Sequence, residues 1–311
     1  MGVRARLKDL AGLEDKFVSG HGLCPGCGIP IMLRLVLRAT EYPIVAVNAT
    51  GCLEVCSSGF PYTAWKIPWM HNAFENAGAT AAGIEAAYKA LKRRGKLPGG
   101  DKKIKIVAFG GDGGTYDIGL QSLSGAMERG HDIVYICYDN QSYANTGGQR
   151  SGATPFGASA TTSPAGTKLP GKLQWRKNLT EIMAAHGIYA AQASVSHWKD
   201  LFMKAQKALE IDGPAFLNVL IPCPTEWKTK PEDGVRLAKI AVDSKVWPLY
   251  EVENGKYKIN YYPKKEVDVV EWLKPQGRFA HMFKPGNEWM IEEYRRRVNE
   301  EWERLVRLTK A

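Results

Sequence analysis

No stretch of this chain approaches the roughly 20 consecutive apolar residues that a membrane-spanning helix requires. Met1 to Lys16 is rich in charge where a secretory signal would carry an apolar core. These two absences give a cytoplasmic expectation, and there six cysteines are more readily ligands, redox groups or core residues than disulfides. There is no internal repeat, and the formal charge of +10 comes without a recognised nucleic-acid fold motif. Lys and Arg are instead spread over Lys89 to Lys105, Lys228 to Lys239 and Arg295 to Lys310, as on a solvated basic surface that would also steer an acidic protein partner. Over 311 residues, 44% hydrophobic and 24% charged, there is room for one large core with an appendage or for two modest domains.

A nicotinamide fingerprint is missing as well. After Gly111 and Gly113, Tyr116 replaces the third glycine of G-x-G-x-x-G. What stands there is Gly110-Gly111-Asp112-Gly113-Gly114, directly after the apolar run Ile104 to Phe109. A second run, Ile133 to Tyr138, ends in Asp139-Asn140-Gln141-Ser142-Tyr143. Glycines after a strand let backbone N–H groups close on a phosphate, but a carboxylate among them repels that phosphate unless a cation intervenes. Asp112 therefore implies a metal. Mg²⁺ takes oxygen ligands, so Asp112, Asn140 and a diphosphate would complete an octahedron. The competing reading is a glycine-rich turn with no ligand.

Apolar runs of strand length, Ile44 to Val47, Ile104 to Phe109, Ile133 to Tyr138, Tyr189 to Ala193 and Ala215 to Ile221, alternate with helical segments Ala73 to Lys92, Asp117 to Arg129 and Trp198 to Glu210. This alternation implies an α/β fold with a doubly wound, mostly parallel sheet, helices on both faces and ligands beyond the carboxyl ends of its strands. Ala144 to Lys172, dominated by small residues and proline, is too long for an ordinary connection and reads as an active-site loop. Beyond Pro224 the patterning weakens, so residues 1–224 read as the main domain. Residues 225–311 read as a C-terminal arm ending in a helix, Glu288 to Leu308, with one apolar face.

Cys24-Pro25-Gly26-Cys27 is a short chelate, while Cys52 follows the first strand and Cys223 follows the run ending at Ile221. Four thiolates meeting there would suit a [4Fe–4S] cluster or tetrahedral Zn²⁺, and spacing does not separate the two. Cys56 would close a more local zinc site with Cys24, Cys27 and Cys52. A dithiol redox pair is a third reading, disfavoured because no strand precedes Cys24. Cys137 belongs to a strand core, and His71 either lines the cofactor pocket or has a structural role.

Taken together, Cys24-Pro25-Gly26-Cys27-Gly28, Asn48-Ala49-Thr50-Gly51-Cys52-Leu53-Glu54, Pro68-Trp69-Met70-His71 with Phe74-Glu75-Asn76, Gly111-Asp112-Gly113, and Tyr138-Asp139-Asn140 through Asn145-Thr146-Gly147 carry a resemblance. Over about residues 18 to 225 the chain resembles the β subunit of the 2-oxoacid:ferredoxin oxidoreductases, in particular those acting on pyruvate. The resemblance implies a thiamine-diphosphate-binding fold. It implies that Asp112, Asn140 and the Ser142 carbonyl hold Mg²⁺, and that Thr50, Gly51, Gly111, Gly113, Gly114, Tyr143 and Thr146 face the cofactor. Asn145 is expected near the reacting carbon, as a cofactor contact and the catalytic residue. Cys24, Cys27, Cys52 and Cys223 match the cluster ligands, and Cys56 does not. The implied chemistry is oxidative decarboxylation of a 2-oxoacid, with CoA taking the acyl group and ferredoxin the electrons. In this family the glutamate that activates thiamine diphosphate comes from an α subunit, and γ and δ subunits carry further clusters. Glu54, Glu75 and Glu85 do not match that glutamate. No nucleic acid or membrane partner is implied. The alternatives are the same family acting on another 2-oxoacid, such as oxalate without CoA, 2-oxoisovalerate or 2-oxoglutarate, a cluster-free thiamine diphosphate enzyme, and a zinc-stabilised binding module.

Overall fold

Six segments lie side by side as parallel strands in the computed structural model, which describes residues 6–59, 61–98, 100 and 102–310. They are β1 (Ile44–Ala49), β2 (Trp69–Asn72), β3 (Lys105–Gly111), β4 (Val134–Asp139), β5 (Tyr189–Ser194) and β6 (Ala215–Leu220). β7 (Tyr250–Glu253) and β8 (Lys256–Ile259) add an antiparallel hairpin, and the order across the sheet is β2-β1-β3-β4-β6-β5-β7-β8. The mostly parallel, doubly wound sheet expected from the sequence is present. β3 to β6 are covered on both faces and so read as nearly continuous apolar runs.

Alternation along the strands supplies two cores. Ala46, Val107, Phe109, Ile136, Leu217 and Val219 pack beneath the helices Ile29–Leu37 and Trp198–Glu210. On the opposite face Val47, Ala108, Tyr135, Cys137 and Phe216 meet the helices Ala77–Arg93, Leu120–Glu128 and Leu179–Ala184. Gly78 permits the closest of these approaches, since a Cβ there would lie 3.1 Å from the Leu123 backbone. Residues beyond Pro224 build a third core around Trp227, Trp247, Trp272, Phe279, Met290 and Tyr294, and they also supply β7 and β8.

Several elements differ from the sequence expectation, among them the added helices Ile29–Leu37 and Leu179–Ala184 and the hairpin β7–β8. The segment Asp117 to Arg129 begins earlier, as a π-helix over Gly113–Ile118, and becomes α-helical only at Leu120–Glu128. Such widened turns gather near functional sites, because they re-aim backbone without breaking the helix. β2 escaped notice because its four residues are only partly buried at the sheet edge. Among the described residues, no helix is long and apolar enough to cross a membrane.

The topology fixes where a ligand can sit. From β1 the chain moves outward to β2, and from β3 it moves the other way to β4, so the winding reverses between two neighbouring strands. The carboxyl ends of β1 and β3 therefore splay apart and leave a crevice. Thr50-Gly51 and Gly111-Asp112 stand at those ends.

Candidate cofactor site

Asp112 is wholly buried where β3 meets the π-helix. Its carboxylate accepts the Asn140 N–H at 3.3 Å and the Ser151 hydroxyl. Burial first, and then the charge of Asp139, push the Asp112 pKa well above the usual carboxylate range; the groups acting on it include no cation. Asp139 is held at about 6 by burial, opposed by Arg176, the Tyr116 hydroxyl at 2.6 Å and the Gln141 N–H at 3.0 Å. Two buried carboxylates with no cation beside the first form a site that a metal ion would complete.

The loop after β4 is held in an uncommon shape. Gln141 has φ 70°, a left-handed conformation costly to a side chain-bearing residue, yet it stands between Asn140 and Ser142. Three bonds hold it there: its N–H to Asp139, its carbonyl accepting Thr154 Oγ1 at 2.7 Å, and its Oε1 accepting Arg278 at 2.6 Å. The Arg278 guanidinium is buried near Trp227 and Phe279, and Trp227 Nε1 donates to the Asn140 carbonyl at 3.0 Å. Residues far along the chain thus brace the two expected metal ligands.

A cleft of about 20 Å³ opens at this point. Of the eleven residues expected at the cofactor, all but Thr146 line it. Thr146 lies just outside and donates to Gln149 Oε1 at 2.6 Å. Three glycines make the approach close: a Cβ on Gly113 would collide with the Tyr143 ring, one on Gly51 with the Tyr138 hydroxyl, and one on Gly114 would stand 3.1 Å from the Phe74 carbonyl. Tyr143 donates to the Gly113 carbonyl at 3.0 Å. Cys52, Phe74, Tyr138 and Ala144 also line the cleft, and Ser151 reaches Asp112 from the long loop; none was singled out for the cofactor, because only the fold brings them there.

A larger cavity, about 330 Å³, lies between the helix Glu288–Leu308 and the β5–β7 edge, lined among others by Trp175, Arg176, Tyr250 and Arg304. It contains neither the glycine turn nor a cysteine, so the smaller cleft is the one with the chemistry of interest. His71 lies on the partly exposed edge strand, its Nδ1 2.7 Å from Glu54 Oε1. Glu85 is engaged with Lys89 and with His131 at 3.0 Å.

The cysteine turn Cys24 to Cys27 closes with Cys27 N–H on the Cys24 carbonyl at 3.1 Å, and Gly28 N–H bonds to Pro222 at 3.3 Å. Gly26, at φ 77°, lies so close to Pro231 that a side chain would collide. Cys223 follows Pro222, so it comes up against the chelate. Cys24, Cys27, Cys52, Cys56 and Cys223 share one electrostatic neighbourhood, and burial pushes the Cys27 thiol up to about 12 and Cys223 to about 11. Among the described residues, no three His, Cys, Asp or Glu side chains converge on a single-ion site. A tetrahedral zinc site demands that convergence, whereas a cubane cluster spreads its thiolates around a larger body. Cys137 is buried in the strand core.

Residues 49–219 match the family model described as thiamine pyrophosphate enzyme, C-terminal TPP binding domain. The chain is 51% identical over 312 residues to pyruvate synthase subunit PorB of Thermotoga maritima, covering 97% of this chain and 96% of that one. With the PorB of Methanocaldococcus jannaschii it shares 54% identity over 271 residues, 86% of this chain and 90% of the other. Ketoisovalerate oxidoreductase subunit VorB of Pyrococcus furiosus is 44% identical, with 96% and 94% covered. Among solved structures, 2-oxoglutarate:ferredoxin oxidoreductase from Magnetococcus marinus, with 2-oxoglutarate, coenzyme A and succinyl-CoA bound, superposes with TM-score 0.55 at 23% identity, over 72% of this chain and 79% of that one. That likeness concerns the fold.

Proposed function

The chain belongs to the thiamine pyrophosphate enzymes and, among them, to the β subunits of the 2-oxoacid:ferredoxin oxidoreductases; from that premise we propose that it anchors thiamine diphosphate through Mg²⁺ and holds a [4Fe–4S] cluster beside it in a pyruvate-oxidising complex. Pyruvate is preferred to a branched 2-oxoacid because identity to the pyruvate synthase subunits runs from 45% to 54%, against 44% to the ketoisovalerate subunit. The observation carrying the reading is Asp112, a fully buried carboxylate with no cation, on the wall of a glycine-lined cleft.

In this reading Asp112, the Asn140 side chain and the Ser142 carbonyl hold the ion. Gly51, Gly111, Gly113 and Gly114 let backbone approach the diphosphate, with Thr50, Tyr143 and Thr146 at its borders, and Asn145 stands at the exposed mouth near the reacting carbon. Cys24, Cys27, Cys52 and Cys223 hold the cluster. Two features of the chain suit these groups: three glycines of the cradle leave no room for side chains, and the four cysteines share one neighbourhood in which Cys24 is exposed and Cys27, Cys52 and Cys223 are half-buried. Bound thiamine diphosphate supplies the electron sink for decarboxylating a 2-oxoacid, the cluster accepts electrons singly on the way to ferredoxin, and CoA receives the acyl group. Cys52 lines the cofactor cleft itself, so the distance electrons must cross is short. An α subunit supplies the activating glutamate, and γ and δ subunits carry clusters onward.

The test is anaerobic purification of the assembled complex, with thiamine, iron and sulfide measured. Asp112→Ala should weaken Mg²⁺-dependent thiamine diphosphate binding at least about 100-fold while visible cluster absorption persists. Unchanged binding would sink the metal assignment. Cys223→Ser should deplete iron and Cys56→Ser should not; the reverse pattern would make Cys56 the fourth ligand.

A further inference from the structure

Of the buried polar side-chain atoms that find no partner among the described residues, those of Asn48 and Tyr138 lie on the face of the sheet that carries the cysteines. Asn48 on β1 leaves both Oδ1 and Nδ2 unbonded, and Tyr138 on β4 finds no acceptor for its hydroxyl hydrogen. Their alternation with Ala46 and Ile136 puts them on the sheet face shared by Leu53, Cys27 and Cys52. An unsatisfied buried hydroxyl costs about 1–3 kcal/mol, so one that persists calls for an explanation.

Tyr138 has the more defined surroundings. Its ring packs on Gly111, where an added Cβ would meet it at 3.0 Å, and its hydroxyl fills the space a Gly51 side chain would need. The phenol oxygen therefore lies over the backbone that runs from Gly51 through Cys52 to Leu53. The Leu53 N–H faces that oxygen, and Cys52 stands between Gly51 and Leu53 on the same stretch of backbone. A backbone N–H serves the oxygen but cannot accept its proton. The phenol O–H is the donor this oxygen still has to place. Cys52 and Tyr138 also line the cofactor cleft together.

We propose that Tyr138 donates its phenolic hydrogen to the Cys52 thiolate and so raises the reduction potential of the cluster which that thiolate holds. The inference rests on the cluster reading above. A hydrogen bond to a ligating sulfur draws electron density from the cluster and favours its reduced form. Tyr138 is thus a positioning residue for electron acceptance, acting through Cys52.

Tyr138→Phe removes only the hydroxyl, and the assembled, anaerobically purified complex supplies the readouts. Iron and sulfide should match wild type. The midpoint potential of the cluster, from a redox titration followed by electron paramagnetic resonance, should move negative. One exchangeable deuteron coupling to that cluster, seen by electron–nuclear double resonance after D₂O exchange, should vanish. An unmoved potential with the coupling retained overturns the proposal. So does a tenfold loss of cofactor affinity at unchanged potential, which would give the hydroxyl to the diphosphate instead. If wild-type complex with intact Cys24, Cys27, Cys52 and Cys223 lacks the iron for this cluster, the parent reading falls first, and that failure is distinct because it precedes any variant.

Discussion

Gln141 shows how a single residue can shape the proposed metal site without joining it. Its left-handed backbone turns Asn140 and Ser142 toward Asp112, and the Arg278 contact to Oε1 at 2.6 Å helps keep it there. Arg278→Met preserves bulk against Trp227 and Phe279 but removes the donor. Mg²⁺ affinity of the assembled protein is expected to fall about 10–100-fold, the scale typical of outer-shell losses, with little change in cluster content. Unaltered Mg²⁺ affinity in an equilibrium titration would mean that Thr154 and Asp139 hold the turn without help. At this scale the sequence was legible where neighbours in space are neighbours in the chain. Asp112 stands out among glycines and Asn140 stands at a strand end. Ser151, Tyr138 and Arg278 gave no comparable signal, because their proximity to the cleft is made by a long loop, a register and a distant third core.

Among the elements, the hairpin β7–β8 was readable and was passed over. Asn254-Gly255, at φ 51° and 73°, forms the tight two-residue connection that right-twisted strands favour, but the surrounding prolines suggested irregular chain. The π-helix was not readable, since an apolar pattern serves both helix types over one turn. The hairpin is fastened to the parallel sheet by Glu251. That carboxylate accepts from Tyr189 at 2.8 Å and Lys258 at 3.0 Å, and lies 3.5 Å from Lys207. Burial raises its pKa, but the bonds from Lys258 and Tyr189 and the charges of Lys207 and Lys258 outweigh burial and bring it down to about 2. A carboxyl held below its ordinary value contributes stability that is complete above about pH 4.5 and is lost as pH falls toward 2. Glu251→Gln should therefore destabilise the protein by roughly 1–3 kcal/mol near pH 6, with the gap to wild type closing through that acid window. A gap that stays constant from pH 6 to about 3 in denaturant titrations would remove Glu251 from the role.

For the whole molecule, the question is which parts of a working site this fold contains. In the proposed reading it provides an anchor for the diphosphate at the switch point and a group of cysteines on the adjoining face, joined by Cys52 in the cleft wall. Among the described residues, no glutamate lines the cleft. Glu54 faces His71, Glu85 faces Lys89 and His131, and neither they nor Glu75 line the cleft. The division follows from the architecture, because a crevice at the carboxyl ends of parallel strands grips a ligand at one end and leaves the other toward solvent or a partner. Deprotonation of the thiazolium carbon needs base assistance relayed through the aminopyrimidine, a contribution of about 10²–10⁴ in rate. The isolated chain, loaded with Mg²⁺ and thiamine diphosphate, should then retain the cofactor but exchange its C2 proton for deuterium at close to the rate of free cofactor. Addition of the α subunit should accelerate that exchange at least about 100-fold in quenched-flow NMR. Fast exchange in the chain alone would locate the activating group within these 311 residues and undo the shared-site reading.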